Sequence, residues 1–168
     1  DHGHHFLYLG KKYPVTVEEG ALRRGRVAFD PAGGWRITLP EELSPADRRS
    51  HIKDKLLKWY RTQAEEILGG RVFHYARLMG VEPKTIAVRT QKRLWGCCDY
   101  KAQSIRLNWQ IILSPLEVVD YVVVHELCHL TVPNHSERFW KKVEEHMPEY
   151  QHHRQWLKTN HYDMVLPL

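Results

Sequence analysis

Residues 121–140 read YVVVHELCHLTVPNHSERFW and contain a His-Glu-x-x-His motif formed by His125, Glu126 and His129. Residues four apart on a helix share a face, so the two imidazoles can bind one ion. Glu126 follows the first histidine directly, where its carboxylate can reach a water on that ion. The spacing therefore predicts a metal-binding helix with a general base beside the metal.

A third histidine, His135, follows His129 after a short interval that contains Val132-Pro133-Asn134. Proline ends a helix, so this interval predicts a turn that can bring His135 back to the same ion. Three neutral imidazoles and one open position form a ligand set typical of catalytic zinc. We therefore predict one Zn²⁺ per chain, bound by His125, His129 and His135.

The sequence around the motif separates it from a chance match, which matters because the chain contains 12 His. Ser114-Pro115-Leu116-Glu117 predicts a capping box, with proline at the first helical position. The helix that follows is apolar on most sides, as a buried helix is. Two imidazoles and a carboxylate inside such a helix cost free energy unless a partner satisfies them, and a metal is such a partner.

Length and composition indicate one domain over residues 1–168, with 42% hydrophobic residues available for a core. A mean hydropathy of -0.54 and the lack of a long apolar run predict no membrane span. The three cysteines are an odd number, and no signal-peptide pattern opens the chain, so we expect a reducing, cytoplasmic setting. The net charge of +5 permits an acidic partner such as nucleic acid without requiring one.

The chain divides into three segments that together predict an α+β fold. Residues 6–39 predict a small β meander, and residues 44–79 predict a long helical segment that Gly69-Gly70 interrupts. Residues 84–157 predict the catalytic core. Its strands lie at 84–90 and 104–108 on either side of a hairpin-like turn at 93–100, in which Gly96 allows a close approach. The metal helix and closing C-terminal helices complete this core.

Four groups of residues together resemble the YgjP-like metallopeptidases, a bacterial and archaeal group related to the SprT and Spartan proteases. The groups are Trp95-Gly96 with Cys98, residues 105–109 (IRLNW), residues 121–130 (YVVVHELCHL), and Pro133-Asn134-His135-Ser136 with Phe139-Trp140. The resemblance implies a compact zincin-like fold, with a small mixed sheet whose edge strand borders the cleft. It also implies zinc on His125, His129 and His135, with Glu126 as the base.

The chain departs from related patterns at three positions. Leu94 stands where the family often has a basic residue, and Cys97 stands where it often has serine. Val132 stands where metzincins, which share the spacing of the third histidine, keep glycine. The alternative third ligand is therefore a carboxylate on the next helix, Glu144 or Glu145, as in gluzincins. Cys97-Cys98 could also supply a thiolate ligand.

The predicted activity is hydrolysis of peptide bonds in a protein or peptide substrate, with Glu126 moving the proton. An extended substrate would pair with an edge strand near residues 89–96, and Trp95, Gly96 and Arg93 are the predicted substrate contacts. An oxyanion donor is not singled out; the candidates are Tyr121, Tyr150, His146, His152, His153 and Arg93.

Three other functions remain open at this point. Some relatives of the family are described as UTP pyrophosphatases, and the basic residues could hold phosphates, although no Walker-type glycine loop is present. The SprT relationship suggests a protease that associates with DNA. The third alternative is a non-catalytic domain that zinc stabilises.

Overall fold

The computed structural model describes residues 4–168, so residues 1–3 of the predicted domain lie outside the described part. The strands are β1 (His5–Tyr8), β2 (Lys11–Gly20), β3 (Arg26–Asp30), β4 (Gly34–Pro40), β5 (Thr85–Arg89), β6 (Gly96–Asp99) and β7 (Ser104–Asn108). The α-helices are α1 (Pro45–Met79), α2 (Leu116–Cys128), α3 (Glu137–His146) and α4 (Tyr150–Asn160). Short 3-10 turns, Trp109–Leu113 and His161–Asp163, precede α2 and follow α4. The presence of seven strands and four α-helices in the described residues confirms the predicted α+β class.

The first sheet has the strand order β1-β2-β4-β3, with β2 and β4 parallel. The predicted meander is therefore wrong, because consecutive strands do not all pair with each other. The reason is burial: β4 contains Trp35, Ile37 and Leu39, which are at most 1% exposed. Such a strand lies in the middle of a sheet, whereas β3 alternates between exposed and half-buried residues and forms an edge.

Helix α1 is continuous through Gly69 and Gly70, so the predicted interruption is wrong. Its buried residues recur every fourth position from Leu56 to Ala76, and packing of this stripe outweighs the weak helix propensity of two glycines. They are Leu56, Tyr60, Ala64, Leu68, Val72 and Ala76. At the N-terminus the Ser44 hydroxyl caps the helix by accepting the Asp47 N–H at 3.1 Å.

The second sheet has the order β5-β7-β6, with β5 parallel and β6 antiparallel to β7. The predicted turn at 93–100 instead contains an edge strand, β6, that begins at Gly96. Asn108 explains the change, because its side-chain amide donates to the carbonyls of Gln91 at 2.8 Å and Leu94 at 3.1 Å. These bonds hold the connection from β5 in place, so the chain enters β6 beside β7.

Helix α2 is the most enclosed helix of the described residues, with ten of its thirteen residues buried. The predicted capping box does not form, since the helix follows Pro115 without a side-chain cap. The Ser114 hydroxyl instead donates to the Ile111 carbonyl at 2.6 Å, within the preceding 3-10 turn. None of the helices in residues 4–168 is long and apolar enough to cross a membrane.

An ion pair joins α1 to α2. Arg71 donates to both carboxylate oxygens of Asp120, at 2.7 and 2.8 Å, and the Tyr75 hydroxyl adds a third hydrogen bond at 3.1 Å. Asp120 is 7% exposed, so its charge depends on these partners for the solvation that it loses on folding. The pair therefore sets how the metal helix sits against the long helix.

We expect Asp120→Asn to lower the free energy of unfolding by about 2 kcal/mol, because it weakens the Arg71 pair and leaves that cation partly buried. Urea denaturation followed by circular dichroism measures the change. Glu19→Gln is the control, since it removes an exposed pair with Arg48 and should cost no more than about 1 kcal/mol. Equal losses in the two variants would contradict the structural role of Asp120.

Candidate active site

Three histidine side chains converge at the C-terminal end of α2. His125 and His129 lie one helical turn apart, and the loop after α2 brings in His135. The Nε2 atom of His135 is 3.2 Å from that of His125 and 3.0 Å from that of His129. All three ligand atoms lie within 4.8 Å of one another.

This donor set fits a zinc ion. Nitrogen ligands at 2.0–2.1 Å around a tetrahedral zinc are separated from each other by about 3.3 Å. The two shortest Nε2–Nε2 separations, 3.2 and 3.0 Å, are close to that value. Three imidazole nitrogens directed at one point, with a buried carboxylate next to them, are therefore arranged as metal ligands.

Second hydrogen bonds orient two of the imidazoles. Nδ1 of His129 lies 3.0 Å from the Val132 carbonyl, which can only accept, so Nδ1 holds the proton and Nε2 presents its lone pair. Nδ1 of His125 lies 3.4 Å from the Tyr121 hydroxyl. Val132 has no positive φ angle and its side chain is 3% exposed, so the loop does not require the glycine found in metzincins.

Aromatic rings from α3 support the same cluster. The Ser136 hydroxyl caps this helix by accepting the N–H of Phe139 at 3.4 Å. The Phe139 ring then stacks on His129, with centroids 4.3 Å apart and planes at 18°. The next residue, Trp140, packs on His135 at 5.8 Å and 27°. The cap and the two rings restrict the orientations available to His129 and His135.

Burial keeps two of the histidines neutral. Burial, followed by the like charges of His129, His135 and Arg154, lowers the pKa of His125 to about 3. Burial is also the main reason that the pKa of His129 is lowered. Near neutral pH these imidazoles are therefore unprotonated, as metal ligands must be.

Glu126 lies against β6 and is 6% exposed. Burial raises the pKa of its carboxyl group to about 8, and no other cause contributes to that shift. The predicted close approach of Gly96 is confirmed, because a Cβ atom there would lie 3.0 Å from both Cγ and Oε2 of Glu126. The absence of a side chain on Gly96 thus leaves room for the carboxylate.

A cavity of about 360 Å³ opens next to this cluster. Its walls combine the edge strand, the metal helix and the last helix of the chain. The lining residues are Trp95, Gly96, Tyr121, Val122, His125, Glu126, Arg154, Leu157, Lys158 and His161. The cavity is bordered by His125, a candidate metal ligand, and by Glu126, the candidate base, so a substrate in the cavity would lie next to both.

Sequence reasoning and structure agree on part of this lining. Trp95 and Gly96 were predicted as substrate contacts, and both line the cavity, whereas Arg93 is exposed and does not. Of the candidate oxyanion donors, Tyr121 is the one that lines it. Tyr150 instead stacks on Trp140 at 5.3 Å. The other ligand candidates, Glu144, Glu145 and Cys97-Cys98, are not part of the metal-ligand cluster found among the described residues.

Four lining residues from α4 and the turn after it were missed by sequence reasoning: Arg154, Leu157, Lys158 and His161. Their spacing places them on one face of α4 and its extension, and this spacing is visible in the sequence. Nothing in the sequence shows that this face meets the metal helix, because that depends on how α4 packs against α2.

Residues 1–160 match the YgjP-like metallopeptidase domain. The chain belongs to this family. No curated protein matches the chain. The family confirms that the protein is a metal-dependent peptidase, a hydrolase that acts on protein or peptide substrates through a catalytic metal.

Solved structures show the same fold. The metallopeptidase zymogen abylysin of Pyrococcus abyssi aligns with a TM-score of 0.51 and 23% identity, over 55% of this chain and 93% of its own. The metallopeptidase zymogen jannalysin of Methanocaldococcus jannaschii aligns with a TM-score of 0.50 and 18% identity, over 55% of this chain and 95% of its own. These likenesses confirm the compact zincin-like α+β fold.

We expect His135→Ala to lose the metal, because two imidazoles do not complete a zinc site. Metal content per chain after dialysis, measured by inductively coupled plasma mass spectrometry, tests this. The control is the double change Glu144→Gln with Glu145→Gln, which should retain metal at the wild-type level. Loss of metal in the control, with retention in His135→Ala, would assign the third ligand to the carboxylates.

Proposed function

We propose that the chain is a zinc-dependent metallopeptidase in which His125, His129 and His135 hold one Zn²⁺ and Glu126 is the general base. The observation that carries this proposal is the convergence of three Nε2 atoms, two of the separations being 3.0 and 3.2 Å, beside a buried carboxylate that faces a cavity. A zinc ion held there would supply Lewis acidity and a water that ionises near neutral pH.

Glu126 would accept the proton of the attacking water and then deliver it to the leaving amine. Its environment suits both steps. Burial raises the pKa of this carboxyl group to about 8, so proton uptake near neutral pH is favourable. A divalent cation on the neighbouring imidazoles favours the ionised form, which must be present before the reaction begins.

The geometry also supports a location for the substrate main chain. Strand β6 pairs with β7 on one side and forms the edge of its sheet on the other. Gly96, its first residue, lies so close to Glu126 that an added Cβ would be 3.0 Å from the Glu126 carboxylate. An extended peptide that pairs with β6 would therefore pass in front of the base, and Trp95 would form part of its pocket. The proposed pairing strand is therefore Gly96–Asp99, which shares Gly96 with the expected segment 89–96.

We expect Glu126→Gln to retain about one zinc per chain and to lose at least about 100-fold in kcat on an unfolded protein such as reduced, alkylated lactalbumin. The amide keeps the shape of the side chain but cannot accept the proton. Metal analysis and gel or mass-spectrometric quantification of fragments measure the two quantities. Wild-type turnover in this variant would remove Glu126 as the base.

Gly96→Ala tests the close approach of β6. The added methyl group must displace the Glu126 carboxylate by a few tenths of an ångström, and we expect kcat to fall about tenfold with zinc content unchanged. Gly70→Ala is the matched control, because a Cβ there meets nothing within 4 Å and lies in a helix that favours alanine. Unchanged kcat in Gly96→Ala would contradict the proposed position of the base.

A further inference from the structure

Helix α4 and the turn after it give the active-site cavity a basic wall. Arg154, Lys158 and His161 lie at positions i, i+4 and i+7, which fall on one helical face. All three line the cavity that contains His125 and Glu126. The sequence of α4, YQHHRQWLKTN, contains no Asp or Glu that could neutralise this face.

The two permanent cations of this wall have no acidic partner in the part of the chain that the structure describes. Within residues 4–168, neither Arg154 nor Lys158 has a carboxylate at ion-pair distance. This differs from Arg71 and Arg48, which both pair with acidic side chains. The N–H groups of Arg154 and Lys158 are therefore available to a ligand.

Arg154 is nevertheless held in place. Its Cζ atom lies 4.7 Å from the centroid of the Trp140 ring. The same ring packs on His135, with centroids 5.8 Å apart. Stacking on an aromatic face restricts the plane of a guanidinium group and leaves its N–H edges free for bidentate bonding. The chain thus fixes an unpaired, planar cation one aromatic ring away from the metal-ligand cluster.

The remaining walls indicate what kind of anion would fit. Trp95, Val122 and Leu157 present apolar surface, which suits the aliphatic part of an amino-acid side chain. Glu126 is the one carboxylate in the lining, and it is buried against β6. The two oxygens of a carboxylate can accept two parallel hydrogen bonds from one guanidinium group. One arginine and one lysine therefore suit the binding of a single carboxylate.

We propose that Arg154, assisted by Lys158, binds a carboxylate of the peptide substrate, so that the enzyme selects chains with an acidic group next to the scissile bond. The carboxylate comes from an Asp or Glu side chain or from the C-terminus of the peptide. This selection rests on the proposed peptidase function, and it makes Arg154 a specificity residue that touches the substrate.

The test uses the zinc-loaded full chain. Digestion of a peptide library, read by mass spectrometry, first gives the cleavage positions. Matched peptides with Glu, Gln or Lys at the preferred position and an amidated C-terminus then test the side chain. A peptide with Gln at the preferred position and a free C-terminus tests whether the C-terminal carboxylate is the group that Arg154 binds. We expect a carboxylate from at least one source to raise kcat/KM about 10- to 100-fold over the amidated Gln peptide.

Substitutions at Arg154 should change this preference. We expect Arg154→Gln to lower the ratio of kcat/KM for the acidic peptide to kcat/KM for the amidated Gln peptide from about 10- to 100-fold to about 1. Arg154→Glu should favour the Lys peptide instead. Lys158→Gln, which leaves the stack on Trp140 intact, should reduce the acidic preference in part and provides a second variant if Arg154 variants fold poorly. Melting temperature and zinc content establish that each variant is folded and loaded.

Arg49→Gln is the matched control, since it removes the same charge from an exposed position of α1 and should leave the preference intact. Indifference of the wild type to peptide charge would overturn the inference. So would an equal fall in kcat for all peptides in Arg154→Gln, or release of phosphate from UTP in place of peptide cleavage. Failure of the peptidase proposal itself is recognised separately, because the zinc-loaded wild type would then produce no fragments from any peptide of the library.

Discussion

The structure depends on the burial of α2, a helix that is apolar on most sides and yet contains Asp120, His125 and Glu126, with His129 at its C-terminal cap. Removing these polar groups from water costs free energy unless each finds a partner. Asp120 finds Arg71 and Tyr75, and His129 finds the Val132 carbonyl. Glu126 instead faces the cavity, and burial raises the pKa of its carboxyl group. The helix tolerates this cost because its apolar residues hold it in the core.

The scaffold around α2 serves to maintain this burial. The stripe of residues along α1 packs under the first sheet and against α2, and the Arg71–Asp120 pair ties the two helices together. On the opposite side β6 comes close enough for Gly96 to touch Glu126. The position of the candidate base is thus determined by the packing of a strand and a helix, both rigid elements, rather than by a loop.

Separate elements of the fold supply the different parts of the candidate site. Helix α2 and the loop after it contain the proposed metal ligands and base, β6 offers an edge for the substrate main chain, and α4 presents cations to the cavity. Trp140 connects these parts, since its ring contacts His135 as well as Arg154. Because charge selection would lie on α4 and chemistry on α2, a change in one can leave the other intact.

The sequence by itself determined the α+β class, the metal-binding motif with its third histidine and the close approach of Gly96. These features follow from local spacing: four residues make one helical turn, proline ends a helix, and glycine permits contact. Burial of neighbours decided the parallel pairing of β2 with β4, the unbroken α1 and the strand at β6, since local propensity is outweighed by packing. Only the tertiary structure brought Arg154, Lys158 and His161 to the cavity. Their spacing defines a helical face, but the direction of that face depends on contacts between residues far apart in the chain.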